Sequence, residues 1–337
     1  MISPLDALSA YGAVDYQAGC SEMKCWGENL IPPAMQAAAK ADATIIIAGI
    51  DLSIEAESLD RDDLLLPGFQ SKLINQVADA AKGPVVLVLF SAGGLDISFA
   101  KNNPKIGAIL WAGYPGEKGG PAIADVIFGK YNPGGRLPLT WHEDSYTHML
   151  PMTSMPLRPV DGYPGRTYKF FNGSTVYPFG YGLSYTKFNY TLKSAVRSAH
   201  IKLDKFQHCY SIKYQDDSYN PPCPSVRTDD LDCEKEIHFE VQVQNEGAKD
   251  GSEVVIVYSK PPQGIAATHI KQVVGFQRVF VPAGRSKTVK FRLNVCNSLR
   301  VTDYNAYSVL PSGGHTITIG NDIISFPFHI NFRNYCN

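Results

Sequence analysis

The stretch ATIIIAGIDLSIEAESLDRDDLLLPG (residues 43–68) joins a short apolar run to a strongly acidic one. ATIIIAGI (43–50) is brief, β-branched and without polar alternation, the pattern of a strand buried on both faces. The residues after it carry Asp51, Glu55, Glu57, Asp60, Asp62 and Asp63 against the single Arg61, and a proline-led helical pattern follows. Acidic residues ahead of a helix cap its free N–H groups and complement its macrodipole. That use suits Asp62 and Asp63 better than Glu55 and Glu57. In open parallel sheets ligands bind beyond the carboxyl ends of the strands, which is where residues 51–63 emerge.

Outward from this joint, helical and strand patterns alternate. Pro32 opens an alanine-rich helix; PGFQSKLINQVADAAKG (67–83) puts Phe69, Leu73, Ile74 and Val77 on one helical face. PVVLVLF (84–90) and IGAILWAG (106–113) read as two more buried strands, and GGPAIADVIFGK (119–130) as a helix between Pro121 and Gly129. This alternation predicts an α/β domain, a doubly wound and mainly parallel sheet with helices on both faces. Past Trp141 the sequence turns to proline, glycine and aromatics, a packed connector rather than a disordered one. From about residue 236 the period becomes two. Ile237, Phe239, Val241 and Val243, and later Val289, Phe291, Leu293 and Val295, point inward in an antiparallel β-sandwich of roughly a hundred residues.

The 337 residues are 44% hydrophobic and carry a net charge of −1. They can bury a core in two or more domains. The near-neutral balance gives no electrostatic case for nucleic acid or an anionic membrane surface. No apolar run approaches the roughly 20 residues that span a bilayer, and the first residues show no secretory signal. The 7 cysteines lack zinc-site spacing, so disulfides are expected, with Cys20 and Cys25 closing a small loop and at least one thiol left over. Two sequons, at Asn172 and Asn189, together with the cysteines favour an exported protein.

A carboxylate on the 51–63 loop can serve as the general acid of glycoside hydrolysis if charge and partial burial raise its pKa. The competing readings are helix capping and a solvated loop, with Asp60-Arg61 a local ion pair. LFSAGG (89–94) resembles a nucleophile elbow at Ser91, but Leu89 replaces its first glycine and no histidine is placed as a base. GYPGEKGG (113–120) lacks the endings of phosphate loops. The histidines show no metal-ligand spacing, and neither metal nor cofactor is called for. The aromatics of 163–185 could stack on sugar rings, although packing is their ordinary use.

GIDLSIEAESLDRDDLLLPGFQ (49–70), ILWAGYPGEKGGPAIADVIFGKYNPGGRLPLTW (109–141), LPMTSMPLRP (150–159), GYPGRTYKF (162–170) and YPFGYGLSYT (177–186) resemble plant β-D-xylosidases of glycoside hydrolase family 3. CPSVRTDDLDC (223–233), HIKQVVGFQRVFVPAG (269–284) and LPSGGHTITIG (310–320) resemble their fibronectin type III-like domain. The resemblance implies an N-terminal (β/α)8 barrel, an α/β sandwich and the fibronectin-like domain, of which this chain holds the last two. It implies residues 1–31 as a linker from the barrel, 32–145 as the α/β sandwich, 146–200 as the connector packing on it, and 201–337 as the fibronectin type III-like β-sandwich. It further implies retaining hydrolysis, with an aspartate nucleophile in a barrel Ser-Asp-Cys motif that this chain does not contain. Glu55 is then the acid/base, Glu57 its alternative, with Asp60, Arg61 and Tyr114 supporting the substrate loop. Ser58 stands where similar sequences have glycine; if the position needs a positive φ, serine strains the loop. The implied partners are a xylo-oligosaccharide or arabinoxylan substrate and the barrel itself. The implied setting is the cell wall outside the cell, the export signal lying with the N-terminal part.

Overall fold

The computed structural model describes residues 1–151, 153–160, 162–215 and 221–333, and the chain divides into two units. The first comprises Met1–Tyr131, Leu139–Ser154 and Ser174–Pro178. Its helices are α1 (Pro4–Ser9), α2 (Ile31–Ala38), α3 (Gln70–Ala80), α4 (Ser98–Lys101), α5 (Gly119–Ile127) and α6 (Ser145–Met149). The apolar runs form three parallel strands, β1 (Thr44–Gly49), β2 (Val85–Phe90) and β3 (Ile106–Trp111), in the order β1-β2-β3. The register pairs Thr44 with Val85 and Gly49 with Phe90, then Leu89 with Trp111. Helix α3 lies in the connection from β1 to β2 and α4 in that from β2 to β3. Ile45 packs with α1 and α5 through Ala7, Leu8, Ala124 and Ile127. The strand order does not reverse among the described residues, so the sheet has carboxyl-end loops but no switch point.

Part of the stretch expected to be a linker is folded into this unit. Tyr11 stacks on Phe128 at 4.2 Å and its hydroxyl donates to Asp125 at 2.8 Å. Cys20 and Cys25 are bonded as expected, and the Cys25 carbonyl accepts from the Phe69 amide at 2.9 Å. A helix of 6 residues is too short to show apolar periodicity, which is why α1 was not visible in the sequence. Trp141, fully buried, meets the edges of Trp111 and Tyr177 at 5.7 and 6.2 Å and pairs with the Tyr177 backbone.

The second unit comprises Asn132–Pro138, Met155–Gly173 and Phe179–Asn337. It contains α7 (Thr167–Phe170), β4 (Phe188–Ala195), β5 (Ser198–Lys202), β6 (Ser225–Arg227), β7 (Glu236–Asn245), β8 (Gly251–Lys260), β9 (Gln272–Val281) and β10 (Ser286–Asn294). It closes with α8 (Val295–Leu299), β11 (Val301–Thr302), β12 (Ser308–Pro311), β13 (Gly313–Ile319) and β14 (Ile324–Arg333). The sheets run β10-β7-β4, β5-β14-β13-β8-β9 and β11-β12-β6. The eight residues expected to point inward are all buried, and Phe239 stacks on Phe291 at 5.0 Å and meets Phe326 edge-on at 5.3 Å. Disulfides join Cys209 to Cys223 and Cys233 to Cys296; Cys336, the seventh cysteine, lies outside the described residues.

Two expected boundaries move. The sandwich begins with β4 and β5, before residue 201. The connector does not pack as one piece on the α/β domain, since Met155–Gly173 belongs to the second unit. The cause is aromatic: Tyr168 stacks on Phe179 at 4.1 Å, and both rings meet Tyr258 of β8 edge-on. Beside them Arg136 grips both oxygens of Glu253 at 2.6 Å, and the Tyr190 hydroxyl donates to the same carboxylate at 2.5 Å. Glu253 is 2% exposed, so its charge is tolerable only because it is paired and hydrogen-bonded.

Removing one partner strands the other charge. Arg136→Ala is therefore expected to cost about 3 kcal/mol or more in denaturant unfolding, while Arg136→Met with Glu253→Leu recovers much of the loss. A second expectation concerns pH. Burial pushes His315 and His269 down to about 4, from 6.5 when exposed, with further lowering at His269 from Lys169 and Arg158. The unfolded chain binds those protons first, so stability present above pH 6.5 is lost as pH falls toward 4. Thermal melts between pH 7 and pH 5 check this, and His315→Asn should flatten the dependence.

Candidate active site

The site is built from the loops that leave β1, β2 and β3. Gly49 ends β1 at φ 142°, where an added Cβ would lie 2.0 Å from the Phe90 carbonyl oxygen, so only glycine lets the strands close. The buried Gln70 side chain braces the same point, accepting from the Gly49 amide at 2.9 Å and donating to its carbonyl at 2.8 Å. The chain then turns at Asp51, whose carboxylate accepts from the Ser53 amide and hydroxyl at 2.9 and 2.6 Å.

Reciprocal backbone bonds of 3.0 Å between Ala56 and Leu59 close a hairpin with Glu57 and Ser58 at its tip. Ser58 has φ 63°, the third-position geometry of a type II turn, which ordinarily takes glycine. The two glutamates have different surroundings. Glu55 accepts from Arg61 Nε at 2.6 Å, and Arg61 also donates to the Gly94 carbonyl at 3.4 Å. The Arg61 side chain is 12% exposed and that of Glu55 36%. Glu57 is exposed and makes no hydrogen bond or ion pair with any described residue.

Two local expectations are corrected, and the case against Ser91 as a nucleophile is borne out. Asp60 is exposed and is not the partner of Arg61; Glu55 is, because the hairpin folds it back beside the guanidinium. Asp62 and Asp63 do not cap the following helix, which begins only at Gln70 without a side-chain cap; Asp63 instead accepts from the Leu65 amide at 2.9 Å. Ser91 is 0% exposed, its hydroxyl donating to the Gly93 carbonyl at 2.7 Å and accepting from Trp111 Nε1 at 3.0 Å, so it presents no nucleophile.

Tyr114, from the loop after β3, joins the same cluster. Its hydroxyl pKa is raised by burial first and then by the Glu55 and Asp51 carboxylates, against a hydrogen bond from the Ala92 backbone. The far end of the acidic loop is held by its backbone. Leu64 donates to Asp144 Oδ1 at 2.9 Å and accepts from the Asp96 amide at 2.7 Å, while Asp96 Oδ2 accepts from the Asp144 amide at 2.8 Å. Burial works to raise the Asp96 pKa, but hydrogen bonds from the Ser98 side chain and from the Asp144 and Ser98 amides outweigh it and hold it low. Gln70, Gly94, Asp96 and Asp144 carry no motif, and sequence reading missed them. The two sequon asparagines are exposed, Asn189 donating to Glu246 at 3.0 Å. Among the described residues no cluster of histidine, cysteine, aspartate or glutamate could hold a metal ion, and no helix is long and apolar enough to cross a membrane.

The arrangement is a parallel α/β sheet with an acidic hairpin at its carboxyl edge, followed in the chain by a β-sandwich. Residues 1–185 match the glycosyl hydrolase family 3 C-terminal domain and residues 253–323 the fibronectin type III-like domain, and the chain belongs to glycosyl hydrolase family 3. It is 42% identical over 324 residues to beta-D-xylosidase 1 of Arabidopsis thaliana, covering 95% of this chain and 41% of that protein. Against beta-xylosidase/alpha-L-arabinofuranosidase 1 of Medicago sativa subsp. varia the figures are 43% over 324 residues, 95% and 40%. A solved GH3 exo-beta-xylosidase, XlnD, in complex with a xylobiose aziridine probe, superposes with a TM-score of 0.83 at 30% identity, over 98% of this chain and 41% of that one. The chain thus spans about two fifths of the relatives it matches.

Ser58→Gly is expected to stabilise the hairpin by about 1 kcal/mol, the left-handed cost of a non-glycine residue. Slower hydrogen exchange at the Ala56 and Leu59 amides would register it; unchanged exchange would mean that the turn bears no strain.

Proposed function

We propose that this chain is the acid/base-bearing part of a retaining β-xylosidase, which releases terminal β-D-xylose, and α-L-arabinofuranose as well, from xylan and arabinoxylan oligosaccharides. The nucleophile is a barrel aspartate outside this chain, so residues 1–337 alone do not turn over. The observation that carries the reading is the hairpin at the carboxyl end of β1, with one glutamate clamped to arginine and the other without a partner among the described residues. The xylosidase names of the relatives and the xylobiose-probe complex support the substrate class.

Retention requires two carboxyl groups about 5–5.5 Å apart, one forming the glycosyl-enzyme and the other protonating the leaving oxygen and then activating water. Glu55 was the first choice from sequence, but its Oε2 already accepts from Arg61. Glu57 has no competing partner among the described residues and stands at the tip of a braced turn. We therefore assign the acid/base to Glu57, with Glu55 the alternative; Glu55 and Arg61 hold the hairpin, and Tyr114 bounds it from the β3 side. The enzyme works outside the cell, in the wall, and the exposed Asn172 and Asn189 are its glycosylation sites.

The test is nitrophenol release from aryl β-D-xylosides by this chain alone and by the chain joined to a barrel. Glu57→Ala in the joined enzyme should lower kcat by about 10²–10⁴-fold, flatten the alkaline limb of the pH profile and recover with azide, whereas Glu55→Ala should show no azide rescue. The reverse pattern returns the role to Glu55. Turnover by the chain alone would sink the claim that its nucleophile lies elsewhere.

A further inference from the structure

The acidic loop is attached to the sheet at one end through Gly49 and Gln70. At the other end its attachment is the Leu64 backbone, whose amide is held by Asp144 and whose carbonyl is held by the Asp96 amide. Asp144 sits at the N-cap of α6, where an aspartate ordinarily accepts from its own helix. Its side chain makes no such bond. Instead Oδ1 accepts at 2.9 Å from Leu64, 80 residues earlier in the chain. The cap geometry forgoes a local bond for a distant one. Asp96 completes the frame, one carboxylate oxygen accepting from Ser98 at 3.0 Å and the other from Asp144 at 2.8 Å.

We propose that Asp144 is a positioning residue for the acid/base hairpin, acting through Leu64 and braced by Asp96. This rests on the reading of the loop as the source of the acid/base. Arg61 leaves the hairpin only three positions before Leu64, so slack at Leu64 passes directly to the Glu55–Arg61 clamp and the turn that carries Glu57. A proton donor displaced by about 1 Å loses up to about 10²-fold in rate, and the loss falls on substrates whose leaving group needs protonation.

The two aspartates differ in what they tolerate. Asp144 uses one oxygen as an acceptor, so asparagine can reproduce its bond. Asp96 accepts amides on both oxygens, so asparagine would set its NH2 group against an N–H donor whichever way it turned.

The experiment compares xylobiose with 2,4-dinitrophenyl β-D-xyloside, a poor and an excellent leaving group, in the barrel-containing enzyme. It also follows hydrogen exchange at the Leu64 amide in the chain itself. Asp144→Ala should lower kcat on xylobiose by about 10–10²-fold, leave the dinitrophenyl substrate within about threefold, barely move KM, and speed Leu64 exchange. Asp144→Asn should restore all of these, and Asp96→Asn should not. Equal losses on both substrates, or Leu64 exchange unchanged in Asp144→Ala, would overturn the positioning role. Glu57→Ala and Glu55→Ala serve as controls. If neither shows the leaving-group dependence, the acid/base reading fails and the positioning role fails with it; if either does and Asp144→Ala does not, the positioning role alone fails.

Discussion

No side chain fits where β1 leaves the sheet. At Gly49 the backbones of β1 and β2 approach so closely that a single methyl group would collide with the Phe90 carbonyl, and the rest of the site depends on that closure. It sets the point at which the acidic loop emerges, and Gln70 locks it from the following helix. The hairpin, the Glu55–Arg61 pair and the approach of Tyr114 all follow from a loop that begins at one defined place and is caught again at Leu64. The loop is tethered at its ends by Gln70 and Asp144 and held across its middle by an ion pair.

The strands, the long helices and the alternating sandwich were legible because each repeats its apolar period often enough to be read. Val289, Phe291 and Leu293 on β10, for example, announce their inward face directly. The position of the acidic loop was legible from the buried strand before it, and the positive φ of Ser58 from its departure from glycine. What was not legible depended on partners distant in sequence. Nothing around Asp144 says that its oxygen reaches Leu64, and nothing around Asp60 says that Glu55 is the nearer partner of Arg61. Local charge rules gave Asp62 and Asp63 to a helix whose start was placed too early. The connector was recognised by its aromatics, but not the fact that Tyr168 and Phe179 find Tyr258.

Among the described residues of the second unit Glu253 is the most deeply buried carboxylate, and it lies between an arginine and a tyrosine. Such a group adds less to net stability than an apolar substitute of the same shape, because desolvation offsets most of the attraction. In the packing observed here the charge is satisfied by Arg136 and Tyr190 together. The fully buried Ser91 and the half-buried Trp111 likewise have their polar atoms satisfied by each other and by the neighbouring backbone.

The order in which the chain visits its two units has a consequence for synthesis. The path changes unit after Tyr131, Pro138, Ser154, Gly173 and Pro178. A nascent chain released through Tyr131 already contains all three parallel strands, yet it lacks Trp141, which packs on Trp111, and Tyr177, which packs on Trp141. The first unit therefore cannot be finished on the ribosome until much of the intervening second-unit sequence has also emerged. No single cut in the gene separates one unit from the other, and any recombination between relatives that falls between residues 132 and 178 exchanges parts of both at once.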